Sequence, residues 1–402
     1  MPPASGPIQV DEDALLDLAR ALVRLRTVNE PSTGSSELPA AELVATTMRG
    51  FGWEPSVVEV APARPNVVAV VDGGGGPGPT IMFAGHTDVV TEGDRDEWSF
   101  DPYGAEVRDG RLLGRGSADM KSGVAAMIHA TRGLQLAGPF PGRVVVAALV
   151  DEEGLMLGAK HFARTPLAAA VDGVIVCEPE GGEVCAVAKG AIRLRLDVIG
   201  RMAHGAMPQH ARNPLAAVPE ILSAIKEVEL GLQGDTGEHE HLGECYVTPT
   251  VVSGGNLDQI NVIPARCSIA FDVRTLPGVD HDDLVDQIVS VARLHARFNE
   301  VTLTHEVIDD RPPVDTPVDH PVVRVLVAAH ERVHGEPPPY GGVPGATDGT
   351  ILTRDAGLAT VVYGPGGKWI AHQADEYVEI VDVIDCAKVY AEAARLFLTQ
   401  TS

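Results

Sequence analysis

The chain has 402 residues, of which 45% are hydrophobic and 22% are charged, the composition of an ordinary globular protein of about two domains. Lys and Arg number 31 against 56 Asp and Glu, which leaves a formal net charge of −25. Nucleic acids and anionic membranes attract basic surfaces, so this acidic balance argues against both as partners.

The five cysteines include no Cys-x-x-Cys pair, which favours a reducing compartment over a disulfide framework. The N-terminal stretch lacks the basic segment and following apolar segment of a secretory signal. No apolar run approaches the length of a membrane span. We therefore expect a cytoplasmic protein.

The first part of the chain alternates predicted helices with apolar strands. Amphipathic helices are predicted over 11–25, 40–50 and 124–138, and short β-like runs over 56–60, 66–71 and 80–85. The runs at 143–150 and 171–176 are almost continuously apolar, which is typical of strands buried on both faces of a sheet. This pattern predicts an α/β domain whose sheet is sandwiched by helices.

The pattern changes near residue 188 and returns near residue 310. Residues 191–199, 266–274 and 301–308 alternate apolar and polar side chains, as strands with one wet face do, and 282–296 reads as an amphipathic helix. Beyond 310 a helix and a buried strand return. We predict an α+β domain, 188–309, inserted into a discontinuous α/β domain made of 1–187 and 310–402.

Polar side chains follow the buried strands at the points where the strands end. His86 and Asp88 follow the strand at 80–85, and side chains two residues apart in an extended chain share a face and can touch. An acid after a strand often only caps the next helix. So many acids at one edge of a sheet would repel each other unless cations bound between them. The residues concerned are His86, Asp88, Asp119, Asp151, Glu152, Glu153, Glu178 and His372.

This set of side chains predicts a metal centre. Imidazole and carboxylate without thiolate suit Zn²⁺, and also allow Co²⁺ or Mn²⁺. Two His and three carboxylates exceed the needs of one tetrahedral ion, and instead fit two ions about 3.5–4 Å apart that share a carboxylate. In this hypothesis His86 is a ligand, and the Asp88 carboxylate orients its ring.

Seven stretches of the sequence carry a resemblance to a known family. They are GHTDVV, GRGSADMKSG, DEEG, CEPE, GRMAHGAMPQHARNPL, NVIPARCSIAFDVR and AHQADE. In these motifs and their order the chain resembles the co-catalytic zinc amidohydrolase and exopeptidase family, which includes succinyl-diaminopimelate desuccinylase, acetylornithine deacetylase, aminoacylases and glutamate-releasing carboxypeptidases. The resemblance implies a zinc exopeptidase-like catalytic domain with a mixed sheet, and an inserted α+β lid or dimerisation domain.

The resemblance also implies a ligand set for two Zn²⁺ ions per chain. By it, His86 and Glu178 hold one ion, Glu153 and His372 hold the other, and Asp119 bridges them.

Glu152 is, by the same resemblance, the general base that accepts the proton of the zinc-bridged water as its hydroxide attacks an amide carbonyl. It then passes that proton to the leaving amine. The family commonly has a cis peptide after the bridging Asp, here Asp119–Met120.

The resemblance points to a substrate with a free carboxylate. Arg274 lies at the family's substrate-carboxylate position, and a guanidinium can grip a carboxylate bidentately, although a surface ion pair is the alternative for this residue. Asn261 and the glycines of the GPGG loop complete the expected pocket: Gly364, Gly366 and Gly367. The predicted substrate is an N-acyl amino acid, hydrolysed by a deacetylase- or desuccinylase-type deacylase.

Two other function classes stay open. A dipeptidase or carboxypeptidase would use the same mechanism on a short peptide, and the segment GATDGT is closer to the carboxypeptidases than to the desuccinylases. A non-catalytic binding module on the same fold would have lost Glu152 or a ligand, and none is lost.

His204, in GRMAHGAMP, is the last predicted catalytic residue. In the family this histidine reaches the active site from the lid domain, often that of the partner subunit, and can stabilise a developing oxyanion. We therefore expect a homodimer formed by the 188–309 domains.

Overall fold

The computed structural model describes residues 7–30 and 36–400. Within these ranges the helices are α1 (Glu12–Val23), α2 (Leu38–Gly50), α3 (Ser122–Ala137), α4 (Leu157–Phe162), α5 (Pro214–Thr236), α6 (His281–Phe298), α7 (Pro321–His334), α8 (Asp348–Ala356) and α9 (Ile380–Leu398). The strands are β1 (Ser56–Ala61), β2 (Arg64–Asp72), β3 (Thr80–His86), β4 (Glu106–Arg108), β5 (Arg111–Leu113), β6 (Arg143–Leu149), β7 (Gly173–Val176), β8 (Val184–Ala188), β9 (Gly190–Ile199), β10 (Ala203–His204), β11 (Tyr246–Gly254), β12 (Val262–Ile263), β13 (Arg266–Thr275), β14 (Thr302–Arg311), β15 (Val314–Asp315), β16 (Tyr340–Val343), β17 (Thr360–Val362) and β18 (Tyr377–Glu379).

The chain divides into two compact units. Met1–Ala186, Asp315–Val343 and Thr347–Ser402 form the first unit, and Val187–Val314 with Pro344–Ala346 forms the second. The second unit thus contains the whole of the predicted insertion, 188–309, and in addition a short segment of the later chain.

A large mixed sheet is the centre of the first unit. Its strands run in the order β1-β2-β6-β3-β7-β17-β8-β15, with β16 beside β8. The central strands β6, β3, β7 and β17 are mutually parallel, whereas β2 runs antiparallel to β6. Helices α3 and α7 both pack against α9, and α8 lies against β3, β7 and β17. The predicted α/β fold with a mixed sheet flanked by helices is confirmed.

The apolar sequence of the central strands explains their place in the sheet. Every residue of β3 is buried, and β6 is buried from Val144 onward. Strands β3, β6 and β7 are in register and parallel, so that His86 pairs with Leu149, and Ala84 pairs with Val176. Their carboxyl ends therefore meet at one edge of the sheet, which is where ligand sites form in α/β proteins.

The second unit has an antiparallel sheet with the strand order β11-β13-β9-β14. Helices α5 and α6 pack together and cover one face through apolar side chains of alternate strand positions, such as Leu194, Leu196 and Ile269. Strand β13 alternates buried and half-buried residues along its length, as the one-wet-face pattern predicts. A separate two-stranded ribbon pairs β10 with β12.

The sequence led to two further predictions, that the cysteines form no disulfide framework and that no segment crosses a membrane. The five cysteines are buried and form no disulfide. Among the residues that the structure describes, no helix combines the length and apolar character needed to cross a membrane.

Candidate metal centre

His86 and Asp88 lie buried at the carboxyl end of β3, with 1% and 0% of their surface exposed. Nδ1 of His86 lies 2.9 Å from the backbone oxygen of Asp88 and 3.4 Å from its carboxylate oxygen Oδ1. The backbone carbonyl is thus the nearer group that orients the imidazole. Nε2 of His86 faces away from both, and is the atom available to a metal ion.

Asp119 lies between two imidazoles. Its Oδ1 is 3.1 Å from Nε2 of His86, and its Oδ2 is 3.2 Å from Nε2 of His372. Asp119 stands in the short helical turn 117–121 that precedes α3, and its peptide bond to Met120 is cis, as predicted. Each carboxylate oxygen therefore faces a different histidine, which is the arrangement expected of a bridging ligand.

Three glutamates complete the cluster. An oxygen of Glu153 lies 3.1 Å from Nε2 of His372, and an oxygen of Glu178 lies 3.6 Å from Nε2 of His86. Donor atoms of His86, Glu152 and Glu178 lie within 4.8 Å of one another, and so do those of His86, Asp119 and Glu153. The structure brings all six predicted metal-centre side chains together. Their roles as ligands or base stay predictions.

The electrostatics of the cluster fit bound cations. Burial, reinforced by neighbouring acids, raises the pKa of Glu152, Glu153 and Glu178, that of Glu178 to about 8. Burial also works to raise the pKa of Asp119, but hydrogen bonds to His372 and His86 lower it. Buried carboxylates this close disfavour their charged form unless a cation compensates them. The donor set, nitrogen and oxygen without sulfur, therefore fits hard or borderline divalent ions such as Zn²⁺.

Asp88 is held by contacts that no motif in the sequence indicates. Its carboxylate accepts hydrogen bonds from the side chain of Asn29 at 2.7 Å, and from the backbone N–H groups of Glu152 and Glu153, both at 3.1 Å. Burial opposes ionisation of Asp88, but hydrogen bonding to His86 and Asn29 lowers its pKa. Asp88 thus supports both the first histidine and the segment that carries the two glutamates.

A further layer of polar groups surrounds the hydrogen bond between Asn29 and Asp88. Asn29 also donates to Asp151 at 2.9 Å, and the Arg64 guanidinium pairs with the Asp151 carboxylate and lies 3.5 Å from the carboxyl group of Glu37. Burial raises the pKa of Glu37 to about 9. No local pattern in the sequence connects these residues, because their partners lie far apart along the chain.

The glycine loop after β17 passes close to the strand that bears Glu178. A β-carbon on Gly364 would lie 2.3 Å from the backbone oxygen of Glu178, so only glycine fits there. Gly366 has φ +81°, and its oxygen accepts a hydrogen bond from Gly181 at 2.7 Å. A β-carbon on Gly367 would collide with the ring of Trp369. The glycines let the loop lie against the Glu178 turn, and their part in substrate binding stays a prediction.

His204 and Asn261 meet on the ribbon of the second unit. His204 pairs with Val262 across the ribbon, and Gly205 donates a hydrogen bond to the backbone oxygen of Asn261 at 2.6 Å. Both residues are exposed. Nδ1 of His204 accepts a hydrogen bond from the backbone of Ala206 at 3.0 Å, which fixes the ring and directs Nε2 outward.

Arg274 lies on β13 in the second unit and is paired with Asp272. Its Nε and Nη2 donate to the two carboxylate oxygens of Asp272 at 2.5 and 3.2 Å. Nη1 lies toward Gly345, where a β-carbon would stand 3.7 Å away. The ion pair with Asp272 orients the guanidinium and leaves Nη1 directed to Gly345.

Comparison with known proteins agrees with the motifs. A model of peptidase family M20/M25/M40 matches residues 82–396. Succinyl-diaminopimelate desuccinylase from Rhodospirillum centenum is 30% identical over 390 residues, which cover 93% of this chain and 94% of that protein. An M20 family metallo-carboxypeptidase from Sulfolobus solfataricus shares the fold with a TM-score of 0.78 at 18% identity, over 98% of this chain and 100% of that one. A dinuclear metal binding peptidase of the M20 family from Bacillus subtilis has a TM-score of 0.74 at 17% identity, over 97% and 99%.

The family match covers the whole candidate centre. It begins within β3, before His86, and ends within α9, beyond His372. The resemblance carried by the motifs is thereby confirmed. The chain belongs to peptidase family M20/M25/M40, and is a metal-dependent hydrolase that acts on amide bonds.

Proposed function

We propose that the chain is a deacylase that hydrolyses the amide bond of an N-acyl amino acid, or of a similar substrate with a free carboxylate, using two Zn²⁺ ions. The observation that carries the proposal is the position of Asp119, whose two oxygens face His86 and His372 at 3.1 and 3.2 Å. A carboxylate so placed suits two cations that share it.

The side chains divide between two ions in this proposal. His86 and Glu178 would hold one ion, Glu153 and His372 the other, and Asp119 both. Bound cations of this kind lower the pKa of a coordinated water and polarise a carbonyl oxygen.

Glu152 is the proton carrier of the proposed reaction. It is buried, and the hydrogen bond from its backbone N–H to Asp88 positions it beside the ligands. Burial raises its pKa, which suits a carboxylate that accepts a proton and later returns it. Glu152 would take the proton from the attacking water and deliver it to the nitrogen of the leaving amine.

Substrate selection would rest on the guanidinium of Arg274. Asp272 orients the guanidinium of Arg274, and less side-chain entropy is then lost when it binds a carboxylate. A desuccinylase at 30% identity supports a deacylase over a peptidase.

The homodimer and the role of His204 belong to the same proposal. Strand β11 lies at the edge of its sheet, and Val251 and Val252 on it are 50% and 51% exposed. An exposed apolar edge strand can pair with a second copy of the chain. His204, with its exposed imidazole, would then act on the oxyanion in the partner's active site.

A substrate panel tests the proposed function. The metal-free protein is reconstituted with Zn²⁺, Co²⁺ or Mn²⁺, and N-acetyl, N-succinyl and N-formyl amino acids are compared with dipeptides. Higher kcat/KM for the acyl amino acids supports the deacylase. Higher kcat/KM for dipeptides would instead assign the chain as a peptidase of the same mechanism. Elemental analysis should approach two zinc ions per chain, and one ion per chain would contradict the two-ion site.

A further inference from the structure

His372 is the candidate ligand with the least support from regular structure. Strand β17 ends at Val362, ten residues before it, and β18 begins only at Tyr377. Its side chain is 55% exposed, against 1% for that of His86. A ligand on an exposed loop needs other contacts to hold its geometry.

Two anchors hold this loop, one on each side of His372 and each four residues away. On the near side, the amino group of Lys368 contacts Glu180 at 2.7 Å and Glu183 at 2.8 Å. On the far side lies Glu376, which is fully buried. The side chain of Lys368 is 28% exposed, so the anchor at Glu376 is the better shielded from water.

Glu376 binds the backbone of the bridging ligand directly. Its Oε1 accepts hydrogen bonds from the N–H groups of Ala118 at 2.9 Å and Asp119 at 3.1 Å. Its Oε2 accepts a hydrogen bond from Arg115 at 2.5 Å, and its backbone oxygen accepts another from Gly114 at 2.9 Å. Side chain and backbone of Glu376 thus both bind the turn that carries Asp119.

We propose that Glu376 is a positioning residue that fixes the distance between Asp119 and His372, and thereby the ion that these two residues share with Glu153. The inference rests on the proposed two-ion function. Its effect should be larger on this ion, because both Asp119 and His372 adjoin Glu376 in the structure or along the chain, whereas in the other ligand set only Asp119 does. His86 and Glu178 follow the adjacent parallel strands β3 and β7, which hold them together without Glu376.

The alternative is that Glu376 and Arg115 are a buried ion pair with a purely structural role. Loss of such a pair would lower the stability of the unit without favouring one ion over the other. The ratio of the two metal affinities therefore separates a positioning role from a structural one.

The test uses two backgrounds that each leave one ion. Glu178→Gln weakens the His86 ion, and Glu153→Gln weakens the His372 ion. Co²⁺ is titrated into metal-free protein, and binding is followed by visible absorbance and calorimetry. We expect Glu376→Gln to weaken Co²⁺ binding at least about tenfold in the Glu178→Gln background, as loss of an outer contact to a ligand does. In the Glu153→Gln background we expect a smaller loss, because His86 and Glu178 do not depend on Glu376 and only Asp119 does.

A second substitution should rescue the first. In Glu376→Gln the amide NH₂ must face either Arg115 or the two backbone N–H groups, and all of these are donors. Adding Arg115→Met removes one donor, so that the amide oxygen can turn to the backbone of Ala118 and Asp119. Arg115→Met/Glu376→Gln should therefore recover most of the lost Co²⁺ affinity.

Two further variants complete the test: one controls for a general loss of stability, and the other replaces Glu376→Gln if that variant does not fold. Glu392→Gln removes a buried acid that pairs with Arg332 and Arg395 in the same unit, and should change stability without changing either Co²⁺ affinity. If Glu376→Gln does not fold, Glu376→Asp keeps the charge toward Arg115 but shortens the reach to the backbone, and should show the same selective loss. Circular dichroism checks the fold of each.

The outcomes are distinct for the two proposals. Equal loss in both backgrounds, no loss in either, or no rescue by Arg115→Met would overturn the role of Glu376. A wild-type protein that binds a single Co²⁺ ion would overturn the two-ion function itself.

Discussion

The carboxylate of Asp88 accepts a hydrogen bond from the backbone N–H of Glu152 at 3.1 Å. This contact joins the end of β3 to the segment after β6. The proposed base is therefore positioned by the same residue whose backbone orients the first histidine.

Asp88→Asn should weaken zinc binding and lower kcat. The amide NH₂ of asparagine would face a donor in either orientation, because the backbone N–H of Glu152 lies at one oxygen position and Asn29 with the backbone N–H of Glu153 lies at the other. We expect a loss of about 10- to 100-fold in metal affinity, measured by competition with a chelator. Asp72→Asn, at an exposed acid of the same unit, is the control. Unchanged affinity in Asp88→Asn would remove this positioning role.

Glu152→Gln should lower kcat by about 10²- to 10⁴-fold, as loss of a general base does, and should leave the zinc content unchanged. The zinc measurement is needed because Glu152 lies within ligand range of His86 and Glu178. Glu153→Gln, the matched change at the next residue, should instead lower the zinc content. If Glu152→Gln lost an ion, Glu152 would be a ligand.

Arg274→Ala should discriminate between charged and neutral substrates. A hydrogen-bonded charge pair contributes about 1.5–3 kcal/mol, so kcat/KM for N-acyl amino acids should fall about 10- to 100-fold. The methyl esters of the same substrates should be affected much less. Arg266→Ala, at an exposed arginine of the same strand, is the control. An equal loss for acids and esters would make Arg274 structural.

Mixing two inactive variants tests whether His204 acts in the partner subunit. In a mixed dimer of His204→Ala and Glu152→Ala, one of the two sites would contain both native residues. Random exchange of equal amounts should then restore about a quarter of the wild-type activity. Labelled subunits show whether exchange has occurred. Exchange without recovered activity, or a monomer that is active at every concentration, would restrict His204 to its own chain.

His129 should make the fold sensitive to acid. It is 4% exposed on α3 beside Phe51, and burial lowers its pKa from 6.5 to about 4. The unfolded chain takes up the proton first, so stability is complete above pH 6.5 and falls as the pH drops toward 4.

His129→Phe removes this pH-dependent contribution of His129 to the free energy of unfolding. Between about pH 7.5 and pH 5, the free energy of unfolding in urea should fall by about 2 kcal/mol less in this variant than in the wild type. His161→Phe, at an exposed histidine of the same unit, should behave as the wild type does. An equal fall in the wild type and His129→Phe would contradict the assignment.

The sequence by itself determined the residue types at the candidate centre. Apolar runs mark β3, β6 and β7, and the polar residues directly after them, including His86, Glu153 and Glu178, are identifiable from the amino-acid order alone. There are two physical reasons. The carboxyl ends of parallel strands share one edge of the sheet. The run of apolar residues in each strand indicates that the strand is buried on both faces. The motif AHQADE places His372 and Glu376 within the family pattern, but it does not indicate a role for Glu376.

Only the tertiary structure decided how these residues are held. Asn29 reaches Asp88 across 59 positions, and Arg115 reaches Glu376 across 261. Such pairs have no periodicity in the sequence, since they depend on which loops the folded sheet and helices bring together. The sequence also does not indicate backbone geometry. In the structure Nδ1 of His86 lies nearer to the backbone carbonyl oxygen of Asp88 than to its carboxylate. Local chemistry therefore specified the candidate ligands, and long-range packing specified their positions.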